Sequence, residues 1–328
     1  MSKQNLKLND SGKQKKLLAA TRDGFGQGLV EAAKLDERII GICADLTESL
    51  KMTEFEQQFP KRFVRIGVSE QLLVALGAGF ALAGKIPFVA SFAAFSPGRS
   101  WEQIRTNVCL NDVNLKVVGG HAGLSVGADG ATHQALEDIA LMRCLPKMTV
   151  VVPCDSEQAR RATLALATLD GPAYLRLGRA KVPTLTSVDT PFEIGRVQIF
   201  REGTDTAIIA CGLMTERSLQ AAEELAAEDG IECTVLNCHT IKPLDDEAIL
   251  MAAQKCGALV TVEEHQIAGG LGSVVAELLA QNTPTPIEFV GVHNRFGQSG
   301  EADELLSEYE LTVSDIKTAV RRALHRKA

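Results

Sequence analysis

Hydrophobic and polar positions along the first half of the chain follow a repeated strand–helix order. Short apolar runs predict buried strands over 38–45, 63–68, 86–92, 115–120 and 148–153. Apolar positions at helical spacing predict helices over 17–35, 71–84, 100–110, 135–145 and 156–169. This alternation predicts an α/β fold in which a mostly parallel sheet carries helices on both faces, with ligand chemistry at the carboxyl ends of its strands.

The second half repeats this architecture after a polar stretch rich in Pro and Thr. The stretch begins near residue 179 and predicts a linker, and apolar strands alternating with helices follow it at 204–212, 231–238 and 257–264. The lysine-rich start, MSKQNLKLNDSGKQKK, is typical of a frayed tail. We therefore predict a disordered tail over 1–15, a first domain over 16–180, a linker over 181–203 and a second domain over 204–328.

Composition narrows the possible functions. Of the 328 residues, 45% are hydrophobic and only 5% are aromatic, which indicates the aliphatic core typical of parallel α/β sheets. The formal net charge of -7 argues against nucleic acid as the main partner. Eight cysteines without a CxxC pair indicate reduced thiols and a cytoplasmic location. No apolar run is long enough to span a membrane, and the polar N-terminus is no signal peptide.

A first candidate site lies in GVSEQ (67–71) and SFAAFSPGRSWEQIR (91–105). Glu70 begins an apolar helix, where a carboxylate either complements the helix dipole or shares a proton with a ring nitrogen of a ligand. Phe92 and Phe95 follow a predicted strand and either pack in the core or form a platform for a flat ligand. Their place at a strand's carboxyl end favours the platform. Arg99 either reaches the same mouth or has a surface role, and the surface role is favoured.

A Gly-rich loop, GGHAGLSVGADGATHQ (119–134), holds His121, Asp129 and His133. The two histidines lie too far apart in sequence for a typical metal pair, so no metal ion is predicted on this chain. The glycines indicate tight turns that present side chains and backbone N–H groups to a ligand. The helix that follows begins at a natural anion site.

Three arginines flank the first predicted domain: Arg22 opens it, and Arg176 and Arg179 close it. Each alone is typical of a surface salt bridge, whereas together they could clamp a phosphate. In the second domain, AGGLGS (268–273) has neither Walker spacing nor a full GxGxxG, so a tight turn is predicted there. The triplet at 263–265 is either structural or part of a subunit interface.

As a set, these motifs resemble the C-terminal half of transketolases from about Lys16 onward. The segments that carry the resemblance are GICADLTESL, GVSEQ, SFAAF, HAGLSVGADGATHQ, LRLGR, IKPLD and VTVEEHQIAGGLGS. The resemblance implies a pyrimidine-binding domain followed by a transketolase C-terminal domain. It also implies a thiamine diphosphate cofactor with Mg2+, and transfer of a two-carbon ketol unit from a ketose phosphate to an aldose phosphate.

The same resemblance implies a role for each matching residue. Glu70 would protonate the cofactor's pyrimidine ring, and Phe92 and Phe95 would form the aromatic wall of its pocket. Asp45 matches an aspartate near the thiazolium ring. His121, which is also assigned to catalysis, and Asp129 match residues that hydrogen-bond the sugar hydroxyls. The residues implied to bind the substrate's phosphate are Arg22, Ser49, His133 and Arg179, and Arg176 joins them from the arginine cluster.

The sequence departs from full-length transketolases in two ways. A third aromatic residue, usual at the Gly98 position, is absent, which alters the pyrimidine wall or the donor pocket. A diphosphate–Mg2+ motif, GDG followed by paired asparagines, is also missing, and the ADG at 128–130 lies in the substrate loop. We therefore expect a split transketolase: a separate N-terminal subunit would hold the diphosphate and Mg2+ and complete an α2β2 assembly with paired beta subunits.

Three other functions compete with this interpretation. A 2-oxo-acid dehydrogenase beta subunit would have the same layout, but the histidines and arginines favour a phosphorylated polyol. A 1-deoxyxylulose-5-phosphate synthase-like enzyme shares EQ at 70–71 and GADGATHQ, but the half-length chain argues against it. A non-catalytic scaffold is disfavoured because the pocket residues are intact. The same anion clamp would also suit a sulfonated or branched sugar.

Overall fold

The computed structural model describes Leu8 and residues 17–327 and contains two domains, each built on a mostly parallel sheet with flanking helices. This confirms the predicted fold class. The tail predicted over 1–15 lies outside the described residues except for Leu8, which forms a bridge with Thr186. Within the described part of the chain, no helix has both the length and the apolar character needed to cross a bilayer.

The elements follow one another in a regular order along the chain. The strands are β1 (Leu18–Ala20), β2 (Ile39–Cys43), β3 (Phe63–Arg65), β4 (Ile86–Phe92), β5 (Lys116–Gly120), β6 (Thr149–Val151), β7 (Ala173–Arg176), β8 (Lys181–Pro183), β9 (Gln198–Arg201), β10 (Thr206–Ala210), β11 (Cys233–Asn237), β12 (Thr240–Lys242), β13 (Leu259–Gln266) and β14 (Ile287–Val292). The α-helices are α1 (Thr21–Leu35), α2 (Thr53–Gln58), α3 (Glu70–Leu82), α4 (Trp101–Gln103), α5 (Asp138–Arg143), α6 (Ser156–Thr168), α7 (Met214–Asp229), α8 (Asp246–Cys256), α9 (Leu271–Asn282), α10 (Ala302–Glu308) and α11 (Val313–Lys327).

The first sheet has the strand order β12-β6-β7-β5-β4-β2-β3. Its strands run parallel except β12, which belongs by sequence to the second half of the chain and pairs antiparallel with β6. The second sheet has the order β14-β13-β10-β11-β9, and only β9 is antiparallel. The two domains therefore share a strand pairing, and one hydrophobic core runs through both.

Helix α1 packs very closely against α6. A Cβ atom on Gly24 would lie 1.7 Å from the carbonyl oxygen of Ser156, and one on Gly28 would lie 2.7 Å from that of Arg160. Only glycine permits this approach. The Thr21 hydroxyl also accepts a hydrogen bond of 2.8 Å from the Gly178 N–H, so α1 begins beside the end of β7.

Three predicted elements differ from the structure. The first helix begins at Thr21 rather than residue 17, because β1 pairs with β8. The helix predicted over 100–110 is α-helical only in α4 and continues as a π-helix over Ile104–Cys109. The segment predicted as a linker contains β8 and β9, each paired in a sheet. The proposed limits of the domains stay predictions.

Candidate functional site

The candidate site lies where four neighbouring parallel strands end at one edge of the first sheet. Phe92 is the last residue of β4, and His121 directly follows β5. The loop after β2 carries Asp45 and Ser49, and the segment after β7 carries Arg179. Because carboxyl ends of parallel strands meet at the same edge, residues far apart in sequence come together here.

Glu70 is the first residue of α3, and only 2% of its side chain is exposed. Its carboxylate accepts a hydrogen bond of 3.2 Å from Arg99, whose guanidinium carbon lies 5.2 Å from the centre of the Phe95 ring. Arg99 therefore joins Glu70 to the aromatic residues. The surface role assigned to Arg99 misses this contact, although its side chain remains largely exposed.

Two phenylalanines and two histidines form one cluster at the mouth of the site. The Phe92 and Phe95 rings stack with their centres 6.1 Å apart. The His121 ring lies 3.9 Å from Phe92, and the His133 ring meets Phe95 edge-on at 5.2 Å. This arrangement makes a partly apolar wall with imidazole nitrogens along its rim, which suits a flat heteroaromatic ligand next to a polar one.

His121 is buried and held in the left-handed backbone region, with φ of 54°. Arg22 Nη1 donates to its Nε2 at 3.1 Å, so Nε2 is the acceptor and the ring proton lies on Nδ1. Burial lowers the pKa of His121 to about 3, with further contributions from Arg22, Arg179 and His133. Among the described residues Nδ1 has no hydrogen-bond partner. The neutral imidazole therefore carries a buried N–H group that has no hydrogen-bond partner among these residues.

The positively charged side of the site begins at Arg22, which also donates to the Ser49 carbonyl oxygen at 2.8 Å. Arg179 donates to the Val126 carbonyl oxygen at 2.7 Å and lies 3.7 Å from the Asp129 carboxylate. Both Arg179 and Asp129 are exposed, so a ligand can reach them. His133 contacts the Thr132 hydroxyl through Nδ1. Asp45 is also exposed, with φ of 60° at the end of β2.

Arg176 does not join this group, contrary to the prediction that it helps to clamp a phosphate. Its Nε donates to the Asp138 carboxylate at 2.8 Å, and its Nη2 donates to the Glu264 carbonyl oxygen at 2.9 Å. The Tyr174 hydroxyl donates to the same Asp138 oxygen at 2.7 Å. Arg176 is the last residue of a strand buried on both faces, so its charge is paired inside the protein.

Sequence reasoning also left open the triplet at 263–265, which the structure places between the domains. Glu263 accepts hydrogen bonds from the Leu271 and Gly272 N–H groups, each at 2.7 Å. The start of α9, where AGGLGS suggested a tight turn, therefore already holds a carboxylate. Glu264 instead accepts from the Ser125 N–H at 2.5 Å, within the Gly-rich loop.

Comparison with known proteins assigns a family domain to each half of the chain. The transketolase pyrimidine-binding domain matches residues 18–184, and the transketolase C-terminal domain matches residues 195–316. A 6-deoxy-6-sulfo-D-fructose transketolase subunit from Clostridium sp. is 41% identical, over 93% of this chain and 95% of its own length. An apulose-4-phosphate transketolase subunit from Phocaeicola vulgatus is 38% identical, over 92% of this chain and 97% of its own length.

A solved structure described as "Split gene transketolase, inactive beta4 tetramer" is 44% identical, with a TM-score of 0.89 over 94% of this chain and 99% of its own. A 1-deoxy-D-xylulose-5-phosphate synthase from Crocosphaera subtropica is 36% identical over 91% of this chain, but the match spans only 47% of that enzyme.

Proposed function

This chain belongs to the transketolase family, and we propose that it is the C-terminal subunit of a split, thiamine diphosphate-dependent transketolase. The reaction is transfer of a two-carbon ketol unit from a ketose phosphate, or a related anionic ketose, to an aldose phosphate. The observation that carries the proposal is a buried carboxylate, Glu70, connected through Arg99 to an aromatic and histidine cluster that has charged groups at its rim. Eight free cysteines, seven of them buried, support a reducing compartment such as the cytoplasm.

The residues present fit the aminopyrimidine end of this cofactor. Glu70 lies at the start of a helix in an apolar setting, where its carboxylate can share a proton with a ring nitrogen. Phe92 and Phe95 offer ring faces at stacking distance from one another. When bound, thiamine diphosphate supplies the carbon nucleophile and accepts the negative charge of the transferred fragment. The role of this chain is to hold the pyrimidine ring and to position the proton that Glu70 shares with its ring nitrogen.

The other residues act on the sugar. Neutral His121 carries an unpaired N–H at Nδ1, which donates to a sugar oxygen once the buried ring nitrogen is uncovered, and Arg22 fixes the tautomer at Nε2. Asp129 accepts from a hydroxyl, while Arg179 can move from Asp129 to an anionic group. Arg22, Ser49 and His133 complete the anion site. Asp45 would lie near the thiazolium ring in this assignment.

A separate N-terminal subunit would supply the diphosphate and Mg2+ site. Two features support this. The beta4 assembly of the similar split transketolase is described as inactive. In addition, large apolar side chains on and beside α3, the helix that begins at Glu70, are exposed at Val68, Leu72 and Leu82. Such a surface needs a covering partner, and we propose an α2β2 assembly in which the beta subunits pair.

The relatives do not identify the sugar substrate of this chain, since one acts on a sulfonated fructose and another on apulose 4-phosphate. Both substrates carry an anionic group, which the arginines suit. The synthase relative makes pyruvate-dependent chemistry the second candidate. The test is to reconstitute the chain with its N-terminal subunit and to offer a ketose phosphate plus an aldose phosphate, and separately pyruvate plus the aldose phosphate.

Ketol transfer that is lost in Glu70→Gln is the expected result. Turnover of pyruvate with the aldose phosphate, and not of the ketose phosphate, would reject ketol transfer in favour of the synthase reaction. Ketol transfer that is unchanged in Glu70→Gln would instead reject the role of Glu70 and support a scaffold subunit.

A further inference from the structure

The Gly-rich loop that carries His121, Asp129 and His133, here called the substrate loop (residues 121–134), rests on the second domain. Its 3-10 turn, Leu124–Val126, follows Gly123, and Glu264 at the carboxyl end of β13 reaches this turn. The Glu264 carboxylate accepts the Ser125 N–H at 2.5 Å. A hydrogen bond from an N–H group to a buried carboxylate is among the stronger ones in proteins.

The loop is shaped to fit this carboxylate. Gly123 has φ of 89°, and a Cβ atom there would lie 2.3 Å from the carboxyl carbon of Glu264. Both the backbone conformation and the missing side chain are therefore needed for the contact. The backbone of Glu264 is fixed in turn, because its carbonyl oxygen accepts from Arg176, which is paired with Asp138.

A second contact holds the far end of the loop. Gln134 Nε2 donates to the carbonyl oxygens of Leu124 and Gly127 within the loop, and to that of Gln298 in the second domain at 3.0 Å. A Cβ atom on Gly130 would lie 2.5 Å from the Ser299 hydroxyl. Residues 298–300 thus pack against the back of the segment that carries Asp129.

The contact at Glu264 is connected to the substrate groups by a short path. Ser125 is bound by Glu264, and the carbonyl oxygen of the next residue, Val126, accepts from Arg179. Arg179 lies 3.7 Å from Asp129. A shift of the turn would therefore move an anion-binding arginine and a hydroxyl-binding carboxylate together.

We propose that Glu264 is a positioning residue through which the second domain sets the affinity of the substrate loop for the sugar. The proposal rests on the function proposed above. Glu264 touches neither substrate nor cofactor in this assignment, and it acts through the Ser125 N–H. Glu70 and the phenylalanine wall lie outside its contacts, so cofactor binding should be independent of it.

The chain offers a matched control on the neighbouring residue of the same strand. Glu263 is also buried and accepts two backbone N–H groups where the Glu264 carboxylate accepts one, but those two belong to α9 within the second domain. Glu263→Ala therefore damages the second domain comparably without touching the loop. Glu264→Gln is the conservative variant, since its amide oxygen can still accept the Ser125 N–H.

The experiment uses the reconstituted complex and measures KM, kcat and cofactor affinity, together with hydrogen exchange of the substrate-loop amides. In Glu264→Ala we expect KM for the sugar to rise about 10- to 100-fold, as misplacement of binding groups does, with cofactor affinity unchanged and faster exchange at 121–134. Glu264→Gln should stay near wild type, and Glu263→Ala should lose thermal stability at unchanged KM.

Unchanged KM and exchange in a folded Glu264→Ala complex would overturn the proposal, as would an equal rise of KM in Glu263→Ala. If Glu264→Ala does not fold, Gly123→Ala perturbs the same contact from the loop side and should raise KM similarly; unchanged KM there would also overturn it. If the wild-type complex shows no ketol transfer, the proposed function fails, and the exchange comparison of the same variants still decides whether Glu264 holds the loop.

Discussion

Two arginines three positions apart, Arg176 and Arg179, should respond in opposite ways to the same substitution. The side chain of Arg176 is 7% exposed and that of its partner Asp138 is 1% exposed, whereas the side chain of Arg179 is 43% exposed. Both arginines were candidates for phosphate binding from the sequence. The structure separates them into a buried ion pair and an accessible cation.

Arg176→Met removes the hydrogen bonds to Asp138 and to the Glu264 carbonyl oxygen. The Asp138 carboxylate then stays buried. Among the described residues, the Tyr174 hydroxyl is the donor that remains hydrogen-bonded to it. Breaking a buried pair in this way costs about 3–5 kcal/mol of unfolding free energy. Arg179→Met should change stability by less than about 0.5 kcal/mol but raise KM for a sugar phosphate by about tenfold or more, because a hydrogen bond to a charged group is lost.

The assay is urea unfolding of the full chain, combined with KM in the reconstituted complex. A control, Arg176→Met with Asp138→Asn, removes the unpaired charge and should recover at least about 1 kcal/mol. An Arg176→Met variant as stable as the wild type would refute the reasoning, because the buried pair with Asp138 would then contribute nothing to the fold.

The pH dependence of this variant adds an independent check. Burial raises the pKa of Asp138, but Arg176, helped by His265 and the Tyr174 hydroxyl, more than offsets this and holds it below its ordinary value. The Arg176–Asp138 pair therefore stabilises the wild type at pH values above the pKa that Asp138 has in the unfolded chain. This stabilisation decreases as the pH falls below that value. Without Arg176, burial alone would raise the pKa above the unfolded value. The difference in stability between Arg176→Met and wild type should therefore shrink as pH falls from about 7 toward about 4.

Two further predictions concern His121 and α3. The pKa of His121 is lowered to about 3, so the unfolded chain binds more protons between there and about 6.5 and stability falls as pH drops through that window. Between about pH 7 and about pH 5 the free energy of unfolding should therefore fall by about 2 kcal/mol less in His121→Asn than in the wild type, as measured by urea unfolding. An equal fall in both proteins would contradict the low pKa of His121. Leu72→Glu on α3 should reduce the mass of the isolated chain in light scattering, whereas Leu35→Glu, at the more exposed end of α1, should not; an unchanged mass for Leu72→Glu would argue against pairing through α3.

Much of the first domain follows from local sequence because its strands are buried on both faces. IPFVASF, predicted as a strand over 86–92, is β4 with the same limits. The loop at 121–134 was predicted to gather His121 and His133 around a ligand, and the structure brings both histidines against the phenylalanine wall. Here the glycines and the strand ends carry enough local information.

Contacts between the domains could not be predicted in this way. The pairing of β12 with β6 joins a short strand to one about ninety positions earlier, and no local pattern specifies such a pairing. Arg176 was misjudged because its partner Asp138 lies on α5, although a polar residue inside a doubly covered strand already indicates a buried partner. Glu264 looked the same as Glu263 in sequence, yet alternation along β13 sends them to different neighbours.

The central claim is that this chain holds the aminopyrimidine end of thiamine diphosphate but depends on another subunit for the diphosphate and Mg2+. Calorimetric titration of the cofactor with Mg2+ into this chain, into the N-terminal subunit and into their mixture tests it most directly. We expect tight binding only in the mixture, weakened there by Glu70→Gln. Tight binding to this chain alone, with sugar turnover in the absence of any partner, would contradict the account.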